Sequence, residues 1–190
     1  MIDFIQVNAT PIVGFLTLIS NIIFVVALLV IIIHSKTRAK MYIFIHKYIL
    51  ELLFFGIMSA VIGSLVYSEI VGFPPCDLCW YQRIFLYPQA IIVLVAMFRK
   101  DKTVIDYLVP LSVLGAIIAF YQSLVQWGFS FGSILDCTAT GGECTKIYVS
   151  EYSYITIPFM SFSVFIYIIT LKFVYYHKDR KIRKENNESY

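Results

Sequence analysis

The chain has 190 residues, 59% of them hydrophobic and 14% charged, with a formal net charge of +3. Ordinary soluble domains run near 45–50% apolar and about 25% charged, so this composition excludes an ordinary water-soluble globule and indicates a chain built for lipid. The small excess of positive charge gathers in particular short segments, which gives no reason to expect a nucleic-acid partner.

A hydrocarbon core of about 30 Å takes about 20 residues of helix to cross, and five blocks approach that length. The first, Ile12 to Ile33, carries no charge and is interrupted only by Gly14, Thr17, Ser20 and Asn21. Met1 to Thr10 contains no base and the block is long for a secretory h-region, so a retained spanning helix is expected rather than a signal peptide. The second block is Ile49 to Val71, with His46, Lys47 and Glu51 at its leading end, where long side chains snorkel to the interface. The third, Ile84 to Phe98, is short and must borrow the turn holding Cys79, Trp80 and Tyr81 to reach across. The fourth runs from Val104 to Trp127 with a kink expected at Pro110, which membrane helices tolerate. The fifth, Ile155 to Phe173, is followed by a basic tail expected to be disordered. The predicted fold class is therefore all-α integral membrane, with five transmembrane helices and only short loops.

Basic residues set the orientation, because lysine and arginine in short loops stay cytoplasmic. Lys36, Arg38 and Lys40, then Arg99, Lys100 and Lys102, then six more from Lys172 to Lys184 make up 12 of the 15 bases. The other side has Arg83 and Lys146 among Asp3, Glu69, Asp77, Asp136, Glu143 and Glu151. The N-terminus and the loops around Ser68–Cys79 and Gly128–Tyr154 are thus predicted to lie outside, and the C-terminus inside. Trp80, Tyr81, Trp127, Tyr148, Tyr152 and Tyr154 outside, with Tyr42, Tyr48, Tyr107, Tyr175 and Tyr176 inside, form an interfacial aromatic belt.

All four cysteines, Cys76, Cys79, Cys137 and Cys144, fall in the two outer loops. In an oxidising compartment two disulfides are the default expectation. Structural staples are a serious reading for Cys137 and Cys144, which flank TATGGE. They are a weaker one for Cys76 and Cys79, because so small a loop removes little chain entropy. Pro74 and Pro75 suit a helix start, so Cys76 is expected at a helix N-terminus where the dipole favours an anion and hence the reactive thiolate. Arg83 follows Cys79 by four residues, on the same helix face and one turn deeper. Its plain alternative is an interfacial arginine reaching for phosphates.

Other uses of a CxxC fail on particulars. A zinc site wants converging nitrogen and sulfur ligands, yet His34, His46 and His177 all lie on the inner side. Haem attachment needs histidine where Trp80 stands, and a thioredoxin site needs a soluble βαβ context. A membrane dithiol that collects electrons from substrate thiols must pass them on in pairs, and the two-electron acceptor present in a bilayer is a quinone. An arginine beside Cys79 suits a developing oxyanion or a thiolate.

PCDLCWYQRIFLYPQ, Pro75 to Gln89, resembles the first-loop motif of the disulfide-bond formation protein B family (DsbB), especially its short Bacillus-type members called BdbC. GAIIAFYQSLVQ, Gly115 to Gln126, and YITIPFMSF, Tyr154 to Phe162, are similar to that group's third and last helices, and the likeness extends over about Leu50 to Phe173. It implies a four-helix core that acts as a thiol:quinone oxidoreductase in the bacterial cytoplasmic membrane. Cys137 and Cys144 would accept electrons from a DsbA-like extracytoplasmic thiol oxidase, with Cys137 forming the mixed disulfide. Cys76 and Cys79 would reoxidise that pair, and Cys79, supported by Arg83, would face ubiquinone or menaquinone from the membrane pool. Gly141 and Gly142 would let the second loop move, and each exchange is attack of a thiolate on a disulfide sulfur.

The chain also departs from that pattern. The first block is additional, so the division expected is an extra helix and inner loop at 1–40, a core at 41–176 and a tail at 177–190. Cys137 and Cys144 are only seven apart. Gln122 stands where many members have histidine; with Gln126 it could hydrogen-bond a quinone carbonyl or another helix. Two other readings remain at this level. A vitamin K epoxide reductase-like oxidase carries its CxxC after the loop cysteines, the reverse of this order. A non-enzymatic membrane protein with two structural disulfides leaves Pro74, Pro75 and Arg83 without a reason.

Overall fold

The computed structural model describes residues 2–129, 147–150, 152 and 154–187. Five α-helices follow one another: α1 (Ile2–Ile33), α2 (Ser35–Leu65), α3 (Asp77–Arg99), α4 (Val104–Gln126) and α5 (Ile157–Asn187), with a π-helical turn, Val66–Ile70, continuing α2. No strand occurs among the described residues. Thr10–Ile33, Thr37–Ile70, Asp77–Arg99, Val104–Gln126 and Ile157–Tyr176 are each long and apolar enough to cross a membrane, and the chain is an all-α, five-span membrane protein.

The core is the seam where α2, α3, α4 and α5 meet. Ile49, Leu53 and Ile57 of α2, Val93 of α3, Ile105 and Leu108 of α4 and Phe165 of α5 are fully buried in one cluster. On α3 the buried positions Gln82, Leu86, Gln89, Val93 and Ala96 recur at three- and four-residue steps, the spacing that keeps side chains on one helix face. The facing stripe on α4 is made of small residues, Ser112, Gly115, Ala116, Ala119 and Ser123. In lipid no hydrophobic force draws helices together, and small residues win by letting backbones approach. Gly115 shows how closely: a Cβ placed there would stand 2.4 Å from Phe165 Cζ.

α1 lies on the flank of this bundle against α2 and α5, with most of its large apolar side chains exposed. The polar interruptions in the first block explain its attachment. The Tyr167 hydroxyl donates to Asn21 Oδ1, Ser20 Oγ donates to the Tyr167 hydroxyl at 3.3 Å, and the rings of Phe24 and Tyr167 lie 4.3 Å apart.

Several local expectations are corrected. Helix α1 begins ten residues before Ile12 and passes through Pro11. The inner loop expected after Ile33 is almost absent: His34 alone leaves helical geometry (φ −102°, ψ 98°) before α2 starts at Ser35. Arg38 Nη2 reaches back to the Ile32 carbonyl at 3.0 Å, satisfying an acceptor that the end of α1 leaves open. Helix α4 runs unbroken through Pro110, and the non-helical residue is Tyr48 of α2 (φ −108°, ψ 24°). Lys102 Nζ donates to the His46 carbonyl at 2.6 Å, an acceptor that an undisturbed ladder assigns to the amide four residues on. A side chain inserted into that ladder is a recognised cause of kinking. The tail expected to be disordered continues α5 to Asn187.

At the turn into α4, Asp101 accepts from Thr103 Oγ1 at 2.7 Å and from the Thr103 amide at 2.9 Å. The hydroxyl first, and then the amide, hold this exposed carboxyl below the usual carboxylate range. A depressed folded-state value means that the turn gains from ionisation above that range and loses the gain as pH falls through the folded value.

Gly115→Ala is expected to lower stability by about 1–3 kcal/mol, the usual cost of overpacking a tight contact. Thermal unfolding in detergent measures it, and adding Phe165→Leu should restore part of the loss.

Candidate redox site

The chain approaches the first cysteine pair through three backbone devices. The π-turn at Val66–Ile70 widens the end of α2, as such turns do near functional sites. Gly72 adopts φ +81°, a left-handed conformation that costs glycine nothing, and the Phe73 amide closes back on the Tyr67 carbonyl at 3.0 Å. Pro74 and Pro75 then hold the chain extended into Cys76, the N-cap of α3 (φ −74°, ψ 169°). The prolines thus precede the cap, and Asp77, not a proline, occupies the first helical position.

Cys76 is buried and Cys79 partly exposed. The two sulfurs are unbonded in this structure and in contact, with Sγ–Sγ 3.1 Å. Closing the pair to a disulfide of about 2.05 Å takes about an ångström of movement. The Gln122 carboxamide of α4 lies across the pair, its Nε2 3.2 Å from Cys76 Sγ and 3.4 Å from Cys79 Sγ. Its Oε1 accepts from Gln82 Nε2 at 2.6 Å. Gln122 therefore faces the sulfurs, while Gln126 lines the cleft beside them.

That cleft, about 710 Å³ of open space, is bounded by α2, α3, α4, α5 and the segment at 148–149. Cys76, Cys79, Gln82, Arg83 and Gln122 supply one wall, and Tyr67, Phe73, Leu86, Ile157 and Pro158 much of the apolar remainder. Tyr67, Phe73 and Tyr148 stack in sequence, with ring centroids 6.1 Å and 4.9 Å apart. Arg83 stands on the cysteine face of α3 as its spacing requires. Its Nη2 donates to the Ser64 carbonyl at 3.3 Å, and its guanidinium lies 5.3 Å from the centre of the Trp80 ring. Ser64 Oγ also accepts from the Tyr87 hydroxyl at 3.3 Å, so α2 and α3 are tied at the arginine and again one turn further along α3.

Cys137 and Cys144, with Gly141 and Gly142, lie outside the described residues. Of the remaining expected site residues, Cys76, Cys79, Arg83 and Gln122 meet at one cleft. Sequence reasoning passed over Gln82, although the signal was there. It is a polar residue three after Cys79 on the stripe that continues through Leu86 and Val93. The contribution of Phe73 and Tyr148 had no local signal, since it depends on a segment 75 residues away in the chain.

A helical bundle with a buried dithiol at the end of one span defines a polytopic membrane protein with a thiol centre. Residues 46–175 match the family described as disulfide bond formation protein DsbB. The SPbeta prophage-derived disulfide bond formation protein B of Bacillus subtilis is 42% identical over 73% of this chain and 92% of its own length. Disulfide bond formation protein C of the same organism is 42% identical over 59% of this chain and 80% of its own. A probable disulfide formation protein of Coxiella burnetii is 36% identical over 66% of this chain and 86% of its own. No solved structure gives a significant match. The chain belongs to the DsbB family of disulfide bond formation proteins.

The burial difference between the two sulfurs is measurable. In a background without Cys137 and Cys144, Cys76→Ser protein, which keeps the more open Cys79, is expected to react with a bulky maleimide several-fold faster than Cys79→Ser protein. Equal rates would show that the cleft admits the reagent to both sulfurs alike.

Proposed function

We propose that the protein is a thiol:quinone oxidoreductase of the bacterial cytoplasmic membrane that reoxidises an extracytoplasmic, DsbA-like thiol oxidase. The observation that carries this reading is the dithiol in sulfur–sulfur contact at the wall of a cleft whose other walls are largely apolar. A bound quinone supplies a two-electron, two-proton acceptor and leaves as the hydroquinone. The cleft suits such a group: rings line it, and Arg83 brings a cation to the cysteine wall.

The reaction divides into two exchanges. The partner's dithiol passes two electrons to the Cys137–Cys144 disulfide through a mixed disulfide at Cys137, and the partner leaves oxidised. The resulting Cys137–Cys144 dithiol attacks the Cys76–Cys79 disulfide, forming one S–S bond and breaking another. Cys76 and Cys79, now reduced, close their own S–S bond as two electrons and two protons go to quinone. Cys79, the more open sulfur, faces the acceptor. Arg83 holds negative charge there, where low dielectric strengthens a fixed cation. The basic segments on the opposite ends of the helices support an orientation with the cysteine loops outside and the C-terminus inside.

Purified protein supplied with a reduced thioredoxin-like substrate and a short-chain quinone is expected to bleach the quinone absorbance. Cys79→Ser should abolish the signal, and full activity in that variant would falsify the assignment. Arg83→Ala is expected to raise the apparent KM for quinone about tenfold, the scale of a lost charge-assisted hydrogen bond. The reaction of partner thiols with the second pair should be unchanged. An unaltered KM would make Arg83 an interfacial anchor.

A further inference from the structure

We propose that Gln122 is the hydrogen-bond donor that stabilises the thiolate of the Cys76–Cys79 pair, and that Gln82 is the positioning residue that keeps its donor end on the sulfurs. The inference rests on the reading of this pair as the working redox centre and assigns roles within it.

A carboxamide is two-faced: the nitrogen carries two donors and the oxygen only accepts. Which end meets the sulfurs decides whether a thiolate there is favoured or opposed, because hydrogen bonds to a charged form favour it. In this protein the nitrogen end stands 3.2 Å from Cys76 Sγ and 3.4 Å from Cys79 Sγ, while the oxygen end is the more distant, 3.9 Å from Cys79 Sγ. Two N–H bonds and two sulfurs allow one hydrogen for each, so the same group serves whichever sulfur holds the charge during exchange. Gln122 is 1% exposed, and water does not compete for those donors.

Nothing in the glutamine itself selects this orientation, since a half-turn of the amide exchanges the two ends. The contact with Gln82 couples the two amides. Gln82 Nε2 donates to Gln122 Oε1 at 2.6 Å, and turning Gln122 alone would set two N–H groups against each other. Gln82 is itself 5% exposed, on the core-facing stripe of α3, with little freedom to turn away. The arrangement is neutral, so the donor does not titrate across the working pH range, unlike an ionisable group in the same place.

A comparison pair lies one heptad along the same stripe. Gln89 Oε1 accepts from Ser112 Oγ at 3.0 Å, and its Nε2 donates to the Phe85 carbonyl at 2.9 Å. This pair also joins α3 to α4 but has no sulfur within its bonds, so it separates loss of a buried polar tie from loss of the donor.

The test is alkylation of the reduced full-length protein in detergent by iodoacetamide, with the rate at Cys76 followed against pH by peptide mass. It needs neither quinone nor partner, so its outcome is independent of the quinone assay. Gln122→Met is expected to slow alkylation at neutral pH about tenfold, the effect of losing one hydrogen bond to a charged group, and to move the profile to higher pH. Gln82→Met, which adds no charge and touches no sulfur, is expected to move the profile in the same direction by a smaller amount, because it removes the donor that holds Gln122 Oε1 and frees that amide to turn. Gln89→Met should leave the profile in place. A folded Gln122→Met protein with the parent profile would overturn the donor role, and Gln82→Met behaving like Gln89→Met would overturn the positioning role. Thermal unfolding of each variant identifies any that has not folded. If Gln122→Met does not fold, Gln82→Met decides both roles, because it keeps Gln122 and removes only the contact that orients it.

Discussion

The hydrogen bond between Gln82 and Gln122 is the interaction on which the site depends. In a hydrocarbon layer a polar group has no water to fall back on and must find its partner inside the protein. Two glutamines facing each other across α3 and α4 meet that demand mutually, and the unused end of one amide comes to rest on the sulfurs. The polar contact that closes the helix pair is thus the same contact that surrounds the thiols. The small-residue stripe of α4 leaves room for it, because small residues let the helix backbones approach. Gly115 of the same stripe shows a like economy of space against Phe165 of α5.

Around that contact, the cleft divides its duties between neighbouring walls. The cysteine wall carries hydrogen-bond donors and a cation, while the facing walls carry rings and aliphatic groups. The walls draw on α2, α3, α4 and α5 together, and the end of α2 reaches the cleft through a π-helical last turn and a chain reversal at Gly72. Arg83 is held by the Ser64 carbonyl from that same helix end. A change in the path of α2 would therefore reach the arginine and the aromatic stack together, though neither belongs to the cysteine motif.

Much of the fold was legible because lipid imposes a strong rule on sequence: uncharged blocks near 20 residues become spans. The position of the CxxC at a span boundary followed from the shortness of the third block, and the polar interruptions at Ser20 and Asn21 proved to be the attachment of α1. What misled was reasoning from one residue at a time. Pro110 looked like the kink, yet α4 carries it without a break, and the departure from helix falls at Tyr48 beside a carbonyl claimed by Lys102. That lysine is 54 residues from Tyr48 in the chain, so no local pattern announces it. The expected loop at residues 34–40 is helical for a similar reason, since Arg38 supplies the missing partner at the end of α1.

The sequence by itself determined the number of spans, the place of the CxxC at the boundary of one of them and the start of a helix at Cys76, because these follow from hydropathy and short-range backbone chemistry. Only the tertiary structure decided what surrounds the sulfurs. Cys76 and Gln122 are 46 residues apart, and Phe73 and Tyr148 are 75 apart. Their meeting depends on how closely α3 and α4 pack and where the chain returns over the cleft. Hydrogen bonds act over about 3 Å, and that precision is a property of the packed bundle, which no single segment contains.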